Sequence, residues 1–193
     1  MTKRIQLIER KTLLDRLIFR VEEARFRQEL PDGQWSEEIV RLHLERGDSA
    51  AALVHNTANQ TLVMVEQFRY PTFEKGPGWM LEIPAGIIDP RSGESPEETI
   101  RRELVEEIGY DIKNLERILY FYPSAGGASE RVYLFYAQTS ESSRINVGGG
   151  DSSAGEFLHV VDVPVQDAFR KVERQEIVDA KTIIGLQWLK LHL

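Results

Sequence analysis

The sequence predicts an α+β fold preceded by a strand-rich N-terminal extension. Three observations carry that expectation: stretches with strand character outnumber helical ones, helical periodicity is confined to the middle and the C-terminal end, and residues 1–45 show strand patterns alone. Strand candidates rich in β-branched and aromatic residues lie at roughly 15–30, 35–44, 49–55, 61–68, 79–84, 115–122, 131–138 and 156–163. Helical periodicity marks about 96–108, 165–173 and 179–192. In the last of these Ile183, Ile184, Leu186, Trp188, Leu189 and Leu191 supply an apolar face, which reads as core packing. The first strand pair, LIFRVEEARFRQEL and EEIVRLHL, is joined by a segment beginning Pro31-Asp32-Gly33 and reads as a hairpin. Residues 1–45 therefore form the extension and 46–193 the main domain. The run INVGGGDSSAGE, residues 145–156, combines three glycines with Ser and Asp and is expected to be a mobile loop.

Composition narrows the function classes. A chain of 193 residues with 41% hydrophobic content can bury a core as one domain with a small appendage. No run approaches the ~18 apolar residues of a membrane span, and MTKRIQLIERK meets charge too soon for a signal peptide, so a cytoplasmic location is expected. Zero cysteines exclude disulfides, thiolate metal sites and cysteine nucleophiles. A net charge of -7 without a Lys/Arg cluster argues against nucleic acid as a ligand. A phosphate compound bound by such a chain needs a divalent cation to offset its charge.

The stretch LEIPAGIIDPRSGESPEETIRRELVEEIGYDI, residues 81–112, is the most informative. Ser95 suits the N-cap, Pro96 the first helical position, Glu98 completes a capping box, and Gly109 offers a left-handed stop. Ile100, Leu104 and Ile108 make an apolar stripe that docks the helix. At about 100° per residue, Glu106 lies about 60° to one side of Glu103 and Glu107 about 40° to the other, so the three carboxylates share one arc. Like charges so placed repel, and a hard divalent ion reverses the sign of that term. Arg102 is placed to hold a carboxylate through a two-pronged hydrogen bond.

This segment resembles the Nudix box, G-x5-E-x7-R-E-U-x-E-E-x-G-U, where U is a bulky apolar residue. Arg102 to Tyr110 match every fixed position of its right half, and Glu94 stands eight residues before Arg102. The single departure is the loop after Gly86, which runs seven residues to Glu94 in place of five. The likeness extends over roughly residues 45–193 and is nearest to the ADP-ribose and nucleoside-diphosphate-sugar pyrophosphatase branch of the Nudix hydrolases. It implies the Nudix fold, a mixed sheet sandwiched between helices.

The resemblance also implies a site. Glu103 and Glu107 are expected as metal ligands, Glu106 as a further ligand or a supporting group, and the Ala85 carbonyl as an additional ligand, with Glu94 more peripheral. The cofactor the resemblance implies is Mg2+, with Mn2+ as a substitute. Arg69, in VMVEQFRYP, is expected to face the pyrophosphate, and Glu82 is a weaker candidate for substrate contact. In YPSAGGASERVYLFYA the loop bearing Ser124, Gly126, Gly127 and Glu130 is expected at the substrate. Glu156, with Asp151 behind it, is the candidate catalytic base in the glycine-rich loop. The implied reaction is Mg-dependent cleavage of a nucleoside diphosphate sugar, ADP-ribose first, giving AMP and ribose 5-phosphate. Ala125 stands where ADP-ribose pyrophosphatases tend to carry Pro, which leaves GDP-mannose, UDP-glucose or a non-catalytic binding domain as alternatives. By analogy, residues 1–45 are expected to exchange between subunits of a homodimer, with a small molecule as the other partner and neither nucleic acid nor membrane involved.

Overall fold

The computed structural model describes residues 4–193. It forms two compact units: the N-terminal residues to Asp48 together with Tyr122–Arg131, and Ser49–Phe121 together with Val132–Leu193.

The N-terminal unit is a three-stranded antiparallel sheet in the order β1 (Ile5–Arg16), β2 (Phe19–Gln28), β3 (Ile39–Glu45). The strand expected at 15–30 is the end of β1, a turn and then β2. Leu17 makes that turn at φ 56 without the Gly, Asn or Pro that signals one in a sequence. Strand β1 carries no buried side chain, so it has no one-sided apolar pattern to read. The β2–β3 hairpin forms as expected, with Gly33 at φ 83 and the Asp32 carboxylate accepting from the Gln34 N–H at 3.0 Å. Segment 122–131 joins this sheet: the Leu44 N–H donates to the Gly127 carbonyl at 2.8 Å, and Arg131 is hydrogen-bonded to both oxygens of Asp48.

The second unit holds a mixed sheet in the order β10 (His159–Pro164), β5 (Thr61–Phe68), β4 (Ser49–Asn56), β9 (Val132–Thr139), β8 (Glu116–Phe121). Strand β6 (Trp79–Glu82) pairs with β5, and β7 (Ala85–Ile87) pairs with β4. The β4–β9 pair is parallel and the rest are antiparallel. All eight residues of β4 are buried, as a central strand covered on both faces requires, and SAAALVHN accordingly reads as a nearly continuous apolar run. On one face Leu53, Leu62, Met64, Ile83 and Leu134 pack with Leu186 and Leu189 of α3 (Ala180–His192) and Ala168 of α2 (Val165–Glu173). On the other face Val54, Val63, Val65 and Phe135 pack against Ile100, Leu104 and Ile108. The sheet thus lies between helices, as the Nudix resemblance implies. Each of those three box-helix residues has no exposed surface, and burying each stabilises the fold by roughly 1.5–3 kcal/mol. Among the described residues no helix is long and apolar enough to cross a membrane.

Candidate active site

The box helix begins as its sequence dictates. The Ser95 hydroxyl accepts from the Glu98 N–H at 3.2 Å, and the Glu98 carboxylate accepts from the Ser95 N–H at 2.8 Å, with Pro96 in the first turn. The α-helical part, α1, spans Pro96–Glu103; the expected continuation to 108 is a single wider π turn, Leu104–Ile108, ending at Gly109 with φ 79. Such turns recur at functional sites. Glu107 is turned inward and is only 5% exposed, whereas Glu106 is half exposed and bound to Arg102 at 2.9 Å. Glu107 is the buried member of the three, and Glu106 stays beside Glu103 through their shared contact with Arg102.

Local structure holds Glu103 and Glu107 in place. The Ala85 N–H, at the start of β7, donates to Glu107 at 2.9 Å. Gly86 leaves room for Glu103: a Cβ there would lie 2.1 Å from the Glu103 carboxylate, which would have to move away. Arg102 lies 3.0 Å from Glu103, 2.9 Å from Glu106 and 3.5 Å from Glu94, so it bridges three carboxylates in place of gripping one. Burial pushes the Glu107 carboxyl up to about 8, and the charges of Glu103 and Glu156 add to the rise against the Ala85 N–H and Arg69. Glu103 is also raised, chiefly by burial, with Arg102 opposing and Glu106 and Glu156 adding.

Behind this pair stands a second buried acid of opposite character. Glu82, 2% exposed on β6, receives two hydrogen bonds from Arg69, at 2.8 and 2.9 Å, and a further one from Lys181. Burial alone would raise its pKa, yet Arg69 and Lys181 hold it below the ordinary carboxylate value. Lys181 also lies 3.1 Å from Asp179, which caps α3 by accepting from the Thr182 N–H at 2.9 Å. Thr182 in turn accepts from the Ile83 N–H at 3.0 Å, tying the helix start to the strand that carries Glu82. Sequence reasoning left Lys181, Asp179 and Thr182 out of the site. Their spacing identifies a helix start, but nothing in it points to a carboxylate 99 residues away.

The glycine-rich run is docked on the box helix at its first half, contrary to the expectation of a mobile loop. The Gly149 N–H donates to the Glu107 carbonyl at 2.8 Å and the Gly150 N–H to that of Glu106 at 3.2 Å. Of the two loop acids, Glu156 acts electrostatically on both Glu103 and Glu107. Asp151 instead organises its own turn, accepting from the Ser153 N–H and hydroxyl at 2.8 and 2.6 Å. Ser124, Gly126, Gly127 and Glu130 belong to the N-terminal unit. There the Ser124 carbonyl accepts from Gly127 and Ala128, and Glu130 lies 3.4 Å from Arg46. A Cβ at Gly126 or Gly127 would meet nothing within 4 Å, so neither glycine is there to relieve a clash.

A cluster of acids with unequal counter-charge, on a loop-helix-loop against a mixed sheet, is the candidate site. Comparison with known proteins agrees with the Nudix resemblance. The crystal structure of an ADP compounds hydrolase superposes with a TM-score of 0.70, covering 97% of this chain and 95% of its own, at 21% identity, which fixes the fold. The NUDIX domain family profile matches residues 45–190, and the chain belongs to the Nudix family of hydrolases. GDP-mannose pyrophosphatase of Pectobacterium atrosepticum is 36% identical over 97% of this chain and 94% of its own length. The enzyme of the same description from Cronobacter sakazakii is 38% identical over 80% of this chain and 81% of its own, and one from Escherichia coli O1:K1 is 33% identical over 100% and 99%.

Proposed function

We propose that this enzyme cleaves the diphosphate of a nucleoside diphosphate sugar, with GDP-mannose ahead of ADP-ribose and UDP-glucose. The observation that carries the reading is the Glu103–Glu107 pair, one half-buried and one buried carboxylate with less positive charge than they need. The relatives described as GDP-mannose pyrophosphatases, which align over nearly the whole chain, support that sugar over ADP-ribose.

The donor set fits a hard divalent cation, although among the described residues no three acids or histidines already converge as a cage. Glu103 and Glu107 would hold Mg2+, or Mn2+ in its place, and Glu106 would join them, with Glu103 and Glu106 both drawn from Arg102 to do so. The Ala85 carbonyl completes the donor set: its N–H already points at Glu107, and in an antiparallel ladder the N–H and C=O of one residue leave the strand on the same side. When bound, such a cation neutralises diphosphate charge and acidifies a water molecule.

The protein's own groups do the rest. Arg69, half exposed beyond Glu82, donates to phosphate oxygens as charge builds on the leaving phosphate. Glu156 accepts the proton of the attacking water. The water oxygen joins one phosphorus, the bridging P–O bond breaks, and GDP-mannose yields GMP and mannose 1-phosphate. Lys181 keeps Glu82 neutralised when Arg69 turns to substrate. The substrate is a small molecule, with no role for nucleic acid or membrane, and absent cysteines accord with a cytoplasmic setting. The exposed apolar residues of the N-terminal sheet, Ile5 at 69%, Leu7 at 53% and Leu42 at 58%, support a homodimer formed through it. Sedimentation as a monomer at micromolar concentration would remove that part.

The test is a screen of GDP-mannose, ADP-ribose and UDP-glucose with and without Mg2+, with products identified. GDP-mannose is expected to turn over fastest, and changing Glu103 and Glu107 together to Gln should cost at least about a hundredfold in kcat. Undiminished Mg-stimulated cleavage by that double variant overturns the reading.

A further inference from the structure

The last turn of a helix leaves its final carbonyls without partners inside the helix. Here the glycine-rich run supplies them. The Asn146 side-chain N–H donates to the Val105 carbonyl at 3.4 Å, the Gly150 N–H to Glu106 at 3.2 Å, and the Gly149 N–H to Glu107 at 2.8 Å. The Ile145 N–H donates to the Gly109 carbonyl at 2.8 Å, and the Asn146 side-chain oxygen accepts from the Gly148 N–H at 2.7 Å. Donors at the negative end of a helix are favourably placed, so the docking needs no substrate.

The fit is close enough to exclude side chains. A Cβ at Gly148 would lie 2.5 Å from the Glu107 carbonyl oxygen, and one at Gly109 would lie 2.2 Å from the Asn146 carbonyl oxygen. Both glycines also take positive φ, 69 and 79. From the docked residues the chain closes a short loop, the Leu158 N–H donating to the Gly149 carbonyl at 3.2 Å and the Glu156 N–H to the Asp151 carbonyl at 3.0 Å. The Cβ position of Gly150 falls 3.2 Å from that of Glu156. Glu156 is therefore one loop away from an amide bonded to the carbonyl of Glu106, on the same turn as Glu107.

We propose that Asn146 is a positioning residue: with Gly148, Gly149 and Gly150 it latches the loop to the end of the box helix and so sets Glu156 against Glu103 and Glu107. The glycines serve as a rigid latch, and the distance between loop acid and helix acids is fixed before substrate arrives. The proposal rests on the reading of Glu156 as the proton acceptor. Asn146 itself touches neither substrate nor cation, and its effect passes through Glu156.

The test compares kcat and KM for GDP-mannose in the wild type, Asn146→Ala, Glu156→Gln and the double variant, with the Mg2+-induced shift in Tm measured on each. Displacing a reacting group by a fraction of an ångström to an ångström costs from roughly tenfold to a hundredfold, so Asn146→Ala should lose kcat in that range. KM and the Mg2+ shift should stay near wild type, because the helix acids are untouched. In the Glu156→Gln background the Asn146 change should cost nothing further. Asn146→Asp, which keeps the acceptor for Gly148 and loses the donor to Val105, should fall between, and it serves if the Ala variant folds poorly. Losses that multiply in the double variant, or full kcat in Asn146→Ala, overturn the latch while leaving Glu156 in its role. Full kcat in Glu156→Gln overturns the reading of Glu156 and the latch with it.

Discussion

Glu82 and Glu107 are nearly equally buried, at 2% and 5% exposure, yet their surroundings drive them in opposite directions. Glu82 sits between Arg69 and Lys181 and is held ionised below the ordinary carboxylate range. Glu107 has Glu103 and Glu156 as neighbours, with the Ala85 N–H and the more distant Arg69 as its relief, and its carboxyl is pushed up to about 8. Burial raises both, and the count of counter-charges decides the outcome. One buried acid is complete within the protein; the other, on the proposed reading, is completed by a cation. Stability and function are thus divided between two glutamates with Arg69 reaching toward both.

The largest expected effect on stability breaks the complete side of this contrast. Glu82→Gln leaves Arg69 without its carboxylate and Lys181 with Asp179 alone in a largely desolvated place and should cost about 3–5 kcal/mol, read as a fall in the urea midpoint. An unchanged midpoint would show that the two cations find other partners. Next comes the incomplete side, which should respond with the opposite sign. A carboxyl whose folded pKa of about 8 exceeds its ordinary 4.5 binds its proton more tightly when folded. The contribution is therefore fully present below about pH 4.5 and is lost as pH rises through about 8. Metal-free protein should lose stability across that window by on the order of 5 kcal/mol at most. Mg2+ should restore much of it, and Glu107→Gln should flatten the profile, which melting curves at pH 5, 7 and 9 would show. A flat profile in the unchanged protein would remove Glu107 from its proposed state.

Smaller effects sharpen the same picture. Gly86→Ala places a methyl group where the Glu103 carboxylate lies and should cost about 1–3 kcal/mol while removing most Mg-stimulated turnover. Retained turnover would mean that Glu103 has another productive position. Arg102→Met removes the cation bridging Glu94, Glu103 and Glu106 from a partly exposed place. It should change stability by less than about 1 kcal/mol and leave the Glu82 side unaffected, and a larger loss would mark Arg102 as a structural anchor of the box.

What the residues revealed in advance was local. The capping box at Ser95 and Glu98, the stop at Gly109 and the stripe Ile100, Leu104, Ile108 all involve neighbours within a few residues, and all are present. Strand β1 escaped notice because it has no buried face, and the turn at Leu17 because its residue type signals none. The π turn was equally hidden: regular helical periodicity cannot distinguish a five-residue widening. The glycine run looked like an unattached loop because its partners are backbone carbonyls, which carry no sequence signal.

By itself the sequence determined the class of enzyme, the helix that carries the acids and the strands on which it lies, since spacing along the chain sets capping, periodicity and the box motif. Only the tertiary structure decided which glutamate is charged and which is starved of charge. That choice depends on Arg69, Lys181 and Glu156, brought in from distant strands, helix and loop, and electrostatic environment is a property of space and not of order along the chain.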